Sequence, residues 1–338
     1  MKINKEDLLK ELQIVLPGLS QREIIEQSSC FVFKDKKIYT YNDEIACCFP
    51  SCLHIEGAIK ASTFLSILQK LNEIFLEVEI QNGELVLIGN KKKRKAGIRM
   101  EKEILLPIDC VETPENWKPL PISFTDAINM VQYCAGKDET QFNITCIHLT
   151  PNYVETCDNY QICRYDIKLP LNGNILVRRN SLSQMISLDM NEFCETDSWI
   201  HFRNPLGLIY SCRKYIEDYP SEEITEHLQT TGIQIKLPEG LKKAVERASV
   251  FSVENVEDNY VVINLSKGML RVTGQGVSGW FKEIKKLQYN GQDMDFAISP
   301  ALLVDLCKKY NECEICSDKL KVKGNHFTYL TVLNPVQK

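Results

Sequence analysis

A threefold internal recurrence constrains this chain more than any single motif. Three stretches, offset by roughly 115 to 120 residues, run in the same order of helix, hairpin, further strands, second helix and closing strands. Apolar residues at helical spacing mark the first helix of each copy: Leu8, Leu9, Leu12, Val15 and Leu16, then Phe124, Ile128 and Val131, then Leu241, Ala244, Val245 and Ala248. A hairpin follows each time, with its turn at Asp35-Lys36-Lys37, at Pro151-Asn152 and at Ser266-Lys267-Gly268. The second helices begin near Ala61, Arg178 and Pro300. A further hairpin closes on Asn82-Gly83, a pair that supplies the positive φ of a tight turn. The fold class expected is therefore α+β and rich in strands.

Turn-rich segments at Pro107 to Pro121 and Tyr219 to Gly232 separate the copies and read as linkers. They predict domains at 1–117, 118–229 and 230–338. A chain of 338 residues has room for several cores, and 44% hydrophobic with 25% charged residues is the balance of a globular protein. No apolar run long enough to span a bilayer occurs and the first residues lack a signal-peptide core, so a cytoplasmic protein without membrane contact is expected. Fourteen cysteines in a chain this long, several inside strand or helix patterns, read as reduced thiols. With a net charge of -5, any contact with nucleic acid must come from basic residues gathered on one surface.

Three stretches carry a family resemblance. Glu217-Asp218-Tyr219, Leu241 to Phe251 and Asp295 to Leu306, in that order and spacing, resemble the third domain of the bacterial and bacteriophage DNA sliding clamp, the beta subunit of the replicative polymerase III holoenzyme. Thr40 to Ile45 and Cys157 to Ile162 resemble that family's hairpin-end motif with a central Asp. The resemblance implies three repeated clamp domains, each with two helices on an inner face and antiparallel sheets outside, closing into a ring as a homodimer. It implies a non-catalytic processivity factor that encircles double-stranded DNA without reading sequence, needs no cofactor or metal, and tethers the replicative polymerase and the clamp loader.

It also assigns residues. Lys5, Lys10, Lys60, Lys70, Arg178, Arg179, Lys242, Lys243, Arg247, Lys308 and Lys309, with Arg22 in a loop, would face the DNA. A groove for partner peptides would be lined by Cys157, Asn159, Tyr160, Gln161, Ile162, Ile224, Leu320, Val322, Leu330, Val332 and Leu333, near the terminal Asn334-Pro335-Val336. Where the family shows Thr-Asp-Gly-His-Arg-Leu, this chain has Cys157-Asp158-Asn159-Tyr160-Gln161-Ile162 and so lacks the Gly, the His and the Arg. Protomers would meet at Ile98 and Met100 of one and Val250 and Phe251 of the other.

Competing signals are weaker. Gly274-Gln-Gly276-Val-Ser-Gly279 fits a nucleotide fingerprint but leads into a strand-like run, where a pyrophosphate site needs a helix N-terminus. Cys313-Glu-Ile-Cys316 has metal or redox spacing without a second pair, and Cys47, Cys48, Cys52 and His54 form the other cluster. The run Lys91 to Lys95 reads as a solvated turn or a secondary phosphate contact. The two alternatives are a thiol- or metal-dependent enzyme and a clamp-like scaffold that never encircles DNA.

Overall fold

Local chemistry starts and stops the elements. Helix α1 (Lys5–Ile14) begins where the Asn4 side chain accepts the Glu6 N–H at 2.9 Å, with Glu6 and Asp7 in the first turn complementing the helix dipole. It buries Leu8, Leu9 and Leu12. Helix α2 (Ala61–Lys70) buries Phe64, whose ring meets the edges of Phe31 and Phe33, each at 6.5 Å between centroids. The first hairpin turns through Asp35 and Lys36, at φ 51 and 59, and the Asn82-Gly83 hairpin at φ 50 and 81, the paired left-handed residues of a two-residue turn. The remaining helices are α3 (Phe124–Val131), α4 (Arg179–Met185), α5 (Ser221–Gln229), α6 (Leu241–Ser249) and α7 (Pro300–Lys309). Helix α5 falls in a segment whose composition reads as linker.

The computed structural model describes residues 1–89, 93–252, 260–316 and 318–335, so Lys91, Lys92 and Val336 lie outside the described residues. The chain divides into two units, Met1–Val154 with Ile167–Asp218 and Glu155–Asp166 with Tyr219–Lys338. Every strand pairing among the described residues is antiparallel. In the first unit one path of paired strands runs from Lys2–Asn4 through Phe75–Gln81, Glu84–Gly89, Arg94–Glu101, Gly57–Lys60, Cys30–Lys34 and Lys37–Tyr41 to Ile45–Pro50. It continues from Ile45–Pro50 into Ile209–Tyr215, with Cys48 opposite Ile209, and on to Trp199–Arg203 and Glu192–Glu195. That pairing carries one sheet across the turn-rich segment near residue 117 and makes the first two copies a single unit.

The second unit holds two sheets. Gln161–Asp166 pairs with Phe327–Val332, then Lys319–Lys323, Glu312–Cys316 and Ile233–Lys236 follow. Gln161–Asp166 precedes α4 in sequence yet joins the sheet of the third copy, which explains its place in this unit. The other sheet orders Gly279–Lys286, Met269–Gly276, Val261–Ser266, Met294–Ile298 and Asn334–Pro335. Gly274 is required there, because a Cβ would sit 1.9 Å from the Ala248 carbonyl oxygen, where α6 lies on the sheet.

A buried relay ties the segment after residue 107 to this framework. His201 is fully buried, its Nδ1 2.7 Å from Ser211 Oγ and its Nε2 3.0 Å from Thr196 Oγ1. Thr196 Oγ1 in turn donates to Glu112 at 2.5 Å, and the Ser198 N–H donates to the same carboxylate. Burial pushes the Glu112 carboxyl up, but these hydrogen bonds outweigh it and hold the group below its usual range. Burial depresses His201 from 6.5 to about 4, the nearby Glu112 charge opposing the shift only in part. An unfolded His201 takes up a proton below its ordinary value while the folded one stays neutral. Its contribution is therefore whole above pH 6.5 and is lost as pH falls to 4, by about 3 kcal/mol. Urea unfolding of the wild type between those pH values should lose that increment beyond the loss seen in His201→Gln; parallel curves would refute it.

Candidate nucleic-acid interface

Six of the seven helices among the described residues fall into three packed pairs, α1 with α2 and α3 with α4 in the first unit and α6 with α7 in the second. Each pair buries an apolar stripe against strands and leaves its polar side to solvent. The twelve basic residues expected to face DNA do not share one condition. Lys10, Arg22, Lys70, Lys243, Lys308 and Lys309 are exposed. Three others have partners within the protein. Lys5 donates to the Leu71 carbonyl at 2.8 Å and pairs with Glu6 at 3.2 Å. Lys60 meets Glu23 at 2.7 Å and Ser29. Arg178 ends the strand Ile175–Arg178 ahead of α4, pairs with Glu139 at 2.6 Å and Glu44 at 3.3 Å, and lies over the Phe142 ring. It works as a cross-link. Arg247 binds Glu283 at 2.5 Å, Lys242 stands 3.8 Å from Glu246, and Arg179 donates to the Asn180 side chain.

The expected groove residues all belong to the second unit, but most are core. Cys157, Ile162, Ile224, Leu320, Val322, Leu330 and Leu333 are buried and offer no surface in this conformation. Leu320 borders a cavity of about 20 Å³ under α6 and α7, too small for a peptide side chain. What reaches the surface is Asn159, Tyr160 at 63% exposure, and the half-buried Gln161 and Val332. The turn that presents Tyr160 is fixed. Asp158 accepts the Tyr160 and Gln161 N–H groups at 2.7 and 2.8 Å, and the Val332 N–H and Thr331 hydroxyl donate to the Tyr160 carbonyl at 2.9 and 3.2 Å. The corner is thus an Asx turn with no residue at positive φ.

Of the expected protomer contacts, Ile98 and Met100 are buried inward from the strand Arg94–Glu101. Residues 94–99 of that strand pair with Glu84–Gly89 on one side, and among the described residues no strand takes the other. Val250 is 66% exposed at the end of α6, and the half-buried Phe251 lies against Gly279, at the start of Gly279–Lys286. That strand likewise has one paired side among the described residues.

The rival signals resolve into strand structure. The Gly274 to Gly279 segment is a strand-to-strand turn, with no helix to receive a phosphate. Cys313 and Cys316 both lie buried in Glu312–Cys316. Burial pushes the Cys313 thiol up to about 12 and raises Cys316, and it pushes Cys47 and Cys52 to about 12 as well. These shifts run opposite to those of a reactive or metal-binding thiol. Among the described residues no cluster of His, Cys, Asp or Glu could hold a metal, and no helix is long and apolar enough to cross a membrane.

The class of fold is that of the DNA sliding clamps. The chain superposes on the DNA polymerase III beta chain of Streptococcus pneumoniae TIGR4 with a TM-score of 0.83 at 18% identity, covering 100% of this chain and 99% of that one. Against the DNA polymerase sliding clamp of Bacillus subtilis the TM-score is 0.81 at 16% identity, and against the DNA polymerase III beta subunit of Thermotoga maritima 0.80 at 14%, each covering 99% of both chains. No protein-family model and no curated protein sequence matches the chain.

Proposed function

We propose that this chain is a DNA sliding clamp: three tiles, 1–117, 118–229 and 230–338, in each of two protomers that join head to tail around duplex DNA and tether a replicative polymerase. The observation that carries the reading is likeness of fold over the whole chain, at TM-scores of 0.80 to 0.83, to proteins described as sliding clamps or polymerase beta subunits. Three helix pairs backed by antiparallel strands, and an open side along residues 94–99 and along Gly279–Lys286 among the described residues, support it. An open edge presents unpaired N–H and C=O groups and accepts a strand from another chain. Retention on DNA then comes from closure, so the inner surface need not bind tightly. The chain has no catalytic role in this reading.

Sedimentation with negative-stain imaging tests the assembly: a particle of twice the chain mass with a through-hole is expected, and a solid monomer at micromolar concentration would contradict it. Partner docking centres on Tyr160, with Asn159, Gln161 and Val332 around it. Tyr160→Ala should weaken a polymerase-derived peptide by about 10-fold, the loss expected of an aromatic anchor, and leave the particle mass unchanged. An unchanged titration would remove Tyr160 from the groove.

A further inference from the structure

We propose that the first unit carries a binding site for a small, neutral, planar ring bearing one N–H donor. The site is a cavity of about 340 Å³ between a sheet face and the segment Ile108 to Pro114, a size suited to a small molecule. It shares no residue with the basic helices or with the surroundings of Tyr160, and it stands whether or not the chain encircles DNA. Strand register builds the face. His201 lies opposite Ser211, Ser211 opposite Ala46 and Ala46 opposite Tyr41, so these four share one side of the sheet, and Ile209, Cys48 and Tyr39 form the next row. The other side is covered by helix, where the Tyr210 hydroxyl donates to the Ser181 carbonyl of α4 at 2.7 Å.

The hydrogen bonds in the cavity floor have a direction. Thr196 has one hydroxyl proton, and the Glu112 carboxylate at 2.5 Å takes it in preference to the Trp199 carbonyl at 3.1 Å. Thr196 Oγ1 therefore accepts from His201, whose Nε2 at 3.0 Å carries the proton. Burial keeps this ring neutral and so leaves Nδ1 bare, and the Ser211 hydroxyl donates to it at 2.7 Å. The Ser211 oxygen ends the chain with its lone pairs free, since among the described residues no other hydrogen bond reaches it. A ligand that meets this oxygen must bring a donor.

The walls set the rest of the chemistry. Tyr39 and Cys48 stand opposite each other and bond through their side chains, and burial raises both groups, so neither is charged near neutral pH. With Ile209 on the sheet and Val111 and Pro114 above it, they offer apolar and aromatic contact to both faces of a flat ring. At the mouth Lys34 and Lys37 are matched by Asp35 and Asp109, with Lys34 3.8 Å from Asp109, so the formal charges cancel. The Glu112 carboxylate is already held by Thr196 and the Ser198 N–H. A charged ligand thus finds no opposite charge to meet, whereas a neutral ring buries its faces and makes one polar bond.

The test uses indole as the probe and benzofuran, which matches its shape without an N–H, as the control. Nitrogen-15 labelling of the five histidines lets NMR follow His201 directly, its signal identified by its absence from His201→Gln. The spectrum of the free protein should show His201 protonated on Nε2 and bare on Nδ1. A proton on Nδ1 would reverse the hydrogen-bond chain and overturn the requirement for a donor. Indole should move the His201 signal saturably, and benzofuran should need about 5-fold to 10-fold more to do the same, the worth of one hydrogen bond. Ser211→Ala should cancel that preference by removing the acceptor. Equal affinity for the two probes, a preference that Ser211→Ala leaves unchanged, or a His201 signal that indole does not move up to its solubility limit would each overturn the proposal. The wild-type titrations decide the case by themselves should Ser211→Ala fail to fold.

Discussion

Val250→Glu, alone or with Phe251→Glu, is expected to yield a folded monomer in place of the ring. Val250 is 66% exposed at the end of α6, so a carboxylate there costs the isolated chain little. In the assembled ring the same carboxylate would be enclosed against a neighbouring protomer, and a buried charge left unpaired there costs about 3–5 kcal/mol. That weakens association by about 10³-fold. Phe251 also packs on Gly279 within its own chain, so the single change at Val250 is the cleaner experiment. Sedimentation across a concentration series should show monomer where the wild type is dimeric, with circular dichroism unchanged. A dimer that persists would show that protomers meet elsewhere.

Lys321→Ala should cost the second unit about 3–5 kcal/mol, the largest stability loss we expect from a polar residue here. Lys321 is 1% exposed in the strand Lys319–Lys323, its Nζ 3.1 Å from Glu314 Oε2 and donating also to the Thr230 carbonyl. Burial raises the Glu314 carboxyl, but the Gly232 N–H at 2.5 Å and the Lys321 ammonium overcome this and hold it low. The pair thus fastens the chain after α5 onto the sheet. Removing the lysine strands a half-enclosed carboxylate and opens a cavity. Lys321→Met restores volume but not charge, and adding Glu314→Gln should recover much of the loss. Scanning calorimetry that finds the Lys321 variants as stable as the wild type would mean the pair contributes nothing.

Much of the fold is legible from the chain because its apolar spacing repeats. Phe64, Leu182 and Leu303 are buried on the second helix of their respective copies, and the Asn82-Gly83 turn forms with both residues at positive φ. What stayed hidden depends on contacts between distant segments. Helix α5 reads as linker because Pro220 and Gly232 bracket it and Ile224 is its only buried side chain. The pairing of Cys48 with Ile209, which merges the first two copies into one unit, leaves no local mark on either strand. For the candidate site, residue type was a poor guide to availability. Lys5, Lys60 and Arg178 are cations spent on nearby carbonyls and carboxylates, and Leu320, Val322 and Leu330 alternate as any interior strand would. Tyr160 was findable, since a large aromatic between Asn and Gln in a turn has nowhere to be buried.

The most direct test of topological linkage loads the protein onto nicked circular duplex with the loader of its own replicon, removes free protein, and follows what remains after one cut by a restriction enzyme. Linked rings stay on the intact circle at high salt and leave within the time needed to slide off once the DNA has ends. Equal retention on circular and linearised DNA, or equal loss from both, would contradict the account.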